Sequence, residues 1–217
     1  MQLNADLTVA AAVDSGSIAW ISSPIAGVER RILERDGDEV ARATSLVRYA
    51  AGSSFAPHTH GAGEEFLVLD GVFSDDTGDF PQGWYVRNPP GSRHAPRSAA
   101  GAVIFVKLRQ MPTAETAPVR LDTQDPALWH DHGAGCRQAL LFDAPWECVV
   151  MQRLAPGYQG ARERWAGGAE FFVLTGELQL DAATHRAGAW IRLPAGSCAI
   201  IASPGGALLY RKTGHLG

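Results

Sequence analysis

Five turn-forming positions of this chain recur at one spacing. Gly52, Gly71, Gly83, Pro89 and Gly91 are answered by Gly157, Gly176, Gly188, Pro194 and Gly196, each 105 residues further on. The apolar run Glu65-Phe-Leu-Val-Leu69 returns as Glu170-Phe-Phe-Val-Leu174, and Trp20 has a looser counterpart in Trp129. Glycine and proline are the residues that set turn geometry, so what repeats is a pattern of connections. An internal duplication follows, and it requires a fold that one copy of about 100 residues can adopt. The expected division is a first domain over 1–110, a linker over 111–125 with Pro112 and Pro118, and a second domain over 126–217.

Within each copy the elements are short strands. Val28–Arg35 and Val40–Tyr49 flank Asp36-Gly37, a strong hairpin signal. Phe66–Leu69 is a short apolar strand closed by Asp70-Gly71, and Asp75-Asp76-Thr-Gly78 is an acidic turn before Trp84–Arg87. Ala102–Leu108 reads as the last strand of the first set, and residues 1–24 as an irregular arm or edge strand. No amphipathic helical run exceeds about ten residues, so the expected class is all-β. The 24 glycines and 13 prolines fit frequent tight turns.

One stretch of the first copy carries chemistry. His58-Thr-His60 is followed by Glu64, and the turn Pro89-Pro90-Gly91 leads to His94. Side chains two apart on a strand share a face, so His58 and His60 aim at one point. By the same alternation Glu64 shares an inward face with Phe66 and Val68, and Glu65 faces outward. The proline turn is a rigid way to return His94 to that point. Three neutral imidazoles and a carboxylate satisfy a divalent transition ion, and this donor set admits zinc, iron, manganese or nickel. In the second copy the four positions are Glu163, Trp165, Ala169 and Ala199, so the turns are duplicated and the ligands are not. One metal ion per chain is expected.

The stretches 52–71 and 83–94 resemble the two cupin motifs. More narrowly, Pro57-His-Thr-His-Gly-Ala-Gly-Glu-Glu-Phe-Leu-Val-Leu69, Gly71-Val-Phe-Ser-Asp-Asp-Thr-Gly78 and Arg87-Asn-Pro-Pro-Gly-Ser-Arg-His94 resemble the ChrR-type cupins, the family of the zinc-binding domain of an anti-sigma factor. The resemblance covers residues 20–110 well and 129–212 weakly. It departs at Ser98, where the pattern usually has Asn. It implies two tandem cupin barrels of the double-stranded β-helix (jelly-roll) type, with a degenerate second barrel. It also implies His58, His60, Glu64 and His94 as metal ligands, and zinc as the ion. A regulatory or oxidative-stress role with a sigma factor as partner would follow. The helical sigma-binding domain of the family's founding member has no counterpart here. Stand-alone dioxygenases of the wider group, cleaving small diketones or hydroxyketones, are the alternative, with a small-molecule ligand. A degenerate pair of barrels serving assembly is a third possibility.

Other residues have plainer readings. Glu65 is expected to pair with an arginine. Tyr85 and Arg87 share a face and have counterparts in Trp190 and Arg192, which favours a structural role. His130, His132 and Cys136 imitate the first motif locally but lie outside the 105-residue frame. Trp165 is expected to plug the second barrel, its indole N–H finding a partner, and Cys148 and Cys198 to be small buried residues. A net charge of −4 gives no electrostatic reason for nucleic acid or an anionic membrane as partner. Three cysteines without a CxxC pair suit a reducing compartment, and the first residues lack a signal-peptide pattern. A cytoplasmic protein, monomeric or homodimeric, is expected.

Overall fold

The computed structural model describes residues 1–38 and 40–216. Among them there is no α-helix, only two 3-10 turns at Ser15–Ser17 and Pro126–Leu128 among strands. Among the described residues no helix is long and apolar enough to cross a membrane. The chain forms two compact units. The first takes Met1–Ala5 and Ile18–Gln124, the second Asp6–Ser17 and Asp125–Gly217.

In the first unit, an antiparallel sheet runs in the order Gln2–Leu3, Val28–Asp36, Arg42–Tyr49, Ala102–Leu108, Glu64–Asp75, Trp84–Asn88, Val119–Asp122. The long strand Glu64–Asp75 belongs to two layers. Its first part pairs with Ala102–Leu108 and Trp84–Asn88, and its last part with Gly78–Pro81 and Arg97. The fold back encloses a core of Val28, Val47, Phe66, Val68, Phe73, Phe80, Val86, Ile104 and Val106. The strand Val28–Asp36 is joined to Arg42–Tyr49 as the Asp36-Gly37 turn signal predicts.

The second unit repeats this order with Trp129–Asp131, Cys136–Ala144, Glu147–Leu154, Ala207–Thr213, Ala169–Leu180, Ala189–Leu193 and Ala11–Asp14. Even the irregularities recur. The ladder slips at Leu69 in the first unit and at Leu174 in the second, each two residues before a left-handed glycine. A side chain at Gly71 or Gly176 would meet the carbonyl oxygen of Gly101 or Gly206 at 2.1 or 2.0 Å. The long strand therefore bends where only glycine fits. Ser98 and Ser203 both donate to a backbone carbonyl, of Val72 and Glu177, at 2.6 Å. This gives Ser98 a role in the fold.

Two stretches lie differently from the expected division. Val119–Asp122, inside the stretch with linker composition, is an edge strand paired with Trp84–Asn88. Ala11–Asp14, inside the expected arm, pairs with Ala189–Leu193 in the second unit. Both are four residues long, so their alternation was too short to stand out. Cys198 is exposed and Cys148 half-buried, against the expectation of buried thiols.

The glycine constraint has a measurable consequence. Gly52 also has positive φ, but a side chain there meets nothing within 4 Å. Gly52→Ala should cost about 1–2 kcal/mol from left-handed strain alone. Gly71→Ala should cost a further ~1–3 kcal/mol from the collision with Gly101. Chemical denaturation of the two variants checks this, and equal midpoints would contradict it.

Candidate metal centre

Three local structures bring the histidines together. His58–Thr59 and Arg93–His94 form a two-stranded ladder in which His58 stands directly opposite His94. His60 is held by its backbone, whose N–H donates to Ser92 O at 2.9 Å while its carbonyl accepts from Gly91 N at 2.7 Å. The turn is closed by Ser92 N donating to Pro89 O, with Gly91 at φ +83°. The ring centroids lie 4.9 Å (His58–His60), 4.9 Å (His58–His94) and 4.6 Å (His60–His94) apart. One nitrogen from each lies within 4.8 Å of the others.

Glu64 opens the long strand on the same side as Phe66 and Val68, both core residues, as the alternation predicts. Its Oε2 lies 3.5 Å from His60 Nε2 and 3.5 Å from His94 Nε2. Two ligands about 2.1 Å from a tetrahedral ion stand ~3.4 Å apart, so this spacing suits a shared cation. His60 and His94 are 7% and 3% exposed, and neither Nε2 has a hydrogen-bond partner among the described residues. Buried polar nitrogens without partners are costly, and two of them beside a carboxylate are what a metal ion would satisfy. The donors fit the ion the sequence implies.

The neighbours fix the donors' orientation. His94 Nδ1 sits 2.9 Å from Asp75 Oδ2, which places the ring proton there and turns the Nε2 lone pair towards the centre. Burial alone would raise the Asp75 carboxyl. The hydrogen bonds from His94 and Thr77 outweigh it and hold the group at about 2. His58 Nδ1 lies 3.3 Å from the carbonyl of Ala56, which serves the same end more weakly. Burial lowers the His60 imidazole below its ordinary value, against the raising influence of Glu64, and so favours the neutral, ligating form. Asn88 Nδ2 donates to Glu64 Oε2 at 3.0 Å, and Arg120 Nη2 donates to Asn88 Oδ1 at 2.6 Å.

Asp75, Asn88 and Arg120 were not singled out from the sequence. A signal for two of them was present. At the 105-residue offset Asp75 becomes Leu180 and Asn88 becomes Leu193, so the ligands' partners turned apolar along with the ligands. Arg120 lies in the stretch read as linker.

Glu65 is buried and paired with Arg87, at 2.6 Å, and Arg87 also pairs with Glu115 at 2.7 Å. Arg87 is thus part of a buried ion network. Among the described residues the histidine trio is the one group of three or more ligand-type side chains with converging atoms, and His130, His132 and Cys136 do not form another. In the second unit Trp165 is buried in the core against Phe171. Its indole N–H finds no partner among the described residues, against expectation. Glu163 forms an ion pair with Arg211.

A cleft of about 630 Å3 opens beside the trio in the first unit. His58, His60 and Glu64 lie in its wall, along with Val28, Val47, Val106 and Leu108.

Fold and site together define a two-barrel cupin with donors for one ion. The family described as the ChrR cupin-like domain matches the chain twice, over residues 8–112 and 117–217, and the chain belongs to this family. No curated protein matches the sequence significantly. Solved structures share the fold at low identity. A Nostoc punctiforme protein assigned provisionally as a dioxygenase is 15% identical, with a TM-score of 0.79 over 96% of this chain and 84% of that one. Protein YlbA of Escherichia coli is 17% identical, with a TM-score of 0.70 over 96% and 92%. The bacterial pirin YhhW of Escherichia coli, solved with nickel(II), is 11% identical, with a TM-score of 0.71 over 94% and 98%.

If Asp75 orients His94, Asp75→Ala should weaken metal binding about 10- to 100-fold with the β-sheet circular dichroism intact. Competition with a chromogenic chelator measures this. An unchanged affinity would show that Asp75 serves only its turn.

Proposed function

We propose that the first barrel is a metal-dependent catalytic centre of the dioxygenase class, acting on a small ketone or hydroxyketone. His58, His60, Glu64 and His94 hold the ion. The observation that carries this reading is the cleft of about 630 Å3 reaching His58, His60 and Glu64. A centre that only braces a fold is closed, whereas a catalytic one keeps access for a ligand. A divalent transition ion here supplies Lewis acidity toward a ketone or enolate oxygen and, if redox-active, the electron exchange of dioxygen chemistry.

The chain's own residues do the rest. Asp75 and Asn88 keep His94 and Glu64 in ligating orientation. Val28, Val47, Val106 and Leu108 keep water from a substrate's carbon body. Burial, reinforced by the charge of Glu64, pushes the Tyr49 phenol far up, so Tyr49 stays protonated and serves as a donor to a ligand oxygen in the cleft. The likeness to the provisional dioxygenase and to the nickel-bound pirin supports the reading at the level of fold.

A second reading is a zinc-bound regulatory module with a sigma factor as partner. It is favoured by the family's namesake and by a full set of four protein donors.

Elemental analysis of protein from cells grown without metal supplement separates the two. Iron supports catalysis and zinc regulation. His58→Ala/His60→Ala should lose the stoichiometric ion, while Glu163→Ala should keep it. A full equivalent of metal in the double variant would remove the site assignment.

A further inference from the structure

The cleft beside the trio contains a cation that the metal site does not use. Arg30 stands on the strand Val28–Asp36, two residues from Val28 and directly opposite Val47. Both valines belong to the core of the first barrel, so Arg30 shares their inward face. The intervening Glu29 and Arg31 lie on the other face, where Arg48 pairs with Glu29 at 2.5 Å and Arg31 and Arg48 cover Trp20. Arg30 is half-buried and lines the cleft with Tyr49 and Ser45.

Its guanidinium has no hydrogen bond and no carboxylate partner among the described residues. Burial lowers its pKa from the ordinary value, with Arg35 adding to the effect, and it stays charged. The rest of the wall deepens the imbalance. Arg35 and Arg109 also face the cleft, against the single carboxylate of Glu64, in a chain whose net charge is −4. An inward, half-buried, unpaired guanidinium is costly to keep unless something anionic meets it.

The second barrel supplies a comparison. Gln138 faces Gln152 there just as Arg30 faces Val47, and Leu154 stands where Tyr49 does. The Arg30 guanidinium therefore has no counterpart at its own position in the second barrel, whose cavity is lined by Arg162 and Arg211, both paired with carboxylates, of Asp181 and Glu163.

We propose that the cleft binds a small organic carboxylate, its anionic end on the Arg30 guanidinium and its carbon body along the apolar wall towards the metal donors. The planar fork of arginine accepts a carboxylate through two parallel N–H donors. The wall of Val28, Val47, Val106 and Leu108 favours a carbon body over a bare inorganic anion. The substrate class is thus a keto or hydroxy acid, and this rests on the catalytic reading of the same site.

The test compares 3-benzoylpropionate with its neutral amide by isothermal titration of the full chain. Both probes have one carbon body and differ in charge. Wild-type protein should prefer the acid by about tenfold or more, the size expected of one charge-assisted pair. Arg30→Met should abolish the preference with metal content unchanged, and Arg30→Lys should recover part of it. The metal-free His58→Ala/His60→Ala variant should keep the preference, because Arg30 and not the ion creates it. Thermal melts confirm that each variant is folded. Equal binding of acid and amide, binding of neither, or a preference that survives Arg30→Met would overturn the proposal. A preference lost in the metal-free variant would overturn it too, by assigning the anion to the ion. Failure of the metal reading shows separately, in the metal content of the wild type.

Discussion

Two imidazole nitrogens, His60 Nε2 and His94 Nε2, are buried beside the Glu64 carboxylate without a hydrogen-bond partner among the described residues. Much of the first barrel is arranged so that this uncompensated arrangement exists. The His58–His94 ladder and the Pro89–Ser92 turn set the rings less than 5 Å apart. Asp75 turns one lone pair inward, and the Arg120–Asn88 pair steadies the carboxylate. A polypeptide gains nothing from burying such lone pairs together in the absence of a cation. With a cation the same contacts become the binding energy.

The second barrel shows what the scaffold looks like when this demand is removed. It keeps the strand order, the slip at Leu174, the bend at Gly176 and the Ser203 hydrogen bond. The positions of Glu64, Asp75, Asn88 and His94 hold Ala169, Leu180, Leu193 and Ala199, and Trp165 fills core space. Apolar residues of suitable volume replace a buried polar network at little or no cost in stability. The polar cluster around the histidine trio is therefore an addition to the fold and not a condition of it.

Much of this was legible in the sequence because it resides in residue identity at short range. Glycine at Gly71 and Gly176 reports a backbone bend, and His58, His60, Glu64 and His94 report ligand chemistry at strand spacing. What lay hidden was long-range contact. Asp75 reads as the first residue of an acidic turn, and it does serve that turn through Thr77. Only the fold back of the long strand brings its other oxygen to His94. Arg120 sits among prolines and small residues, and becomes an edge-strand residue reaching Asn88 only once Val119–Asp122 pairs with Trp84–Asn88. Arg30 was one of several arginines in a charged strand until the core identified its face.

The arrangement calls for one ion, in the first barrel, among His58, His60, Glu64 and His94. Anomalous diffraction at the absorption edge of the bound metal, on crystals of the full chain, tests it most directly. One peak per chain is expected, within ligating distance of His58, His60, Glu64 and His94. A peak near Glu163 and Trp165, or an empty histidine trio in protein that contains a full equivalent of metal, would contradict it.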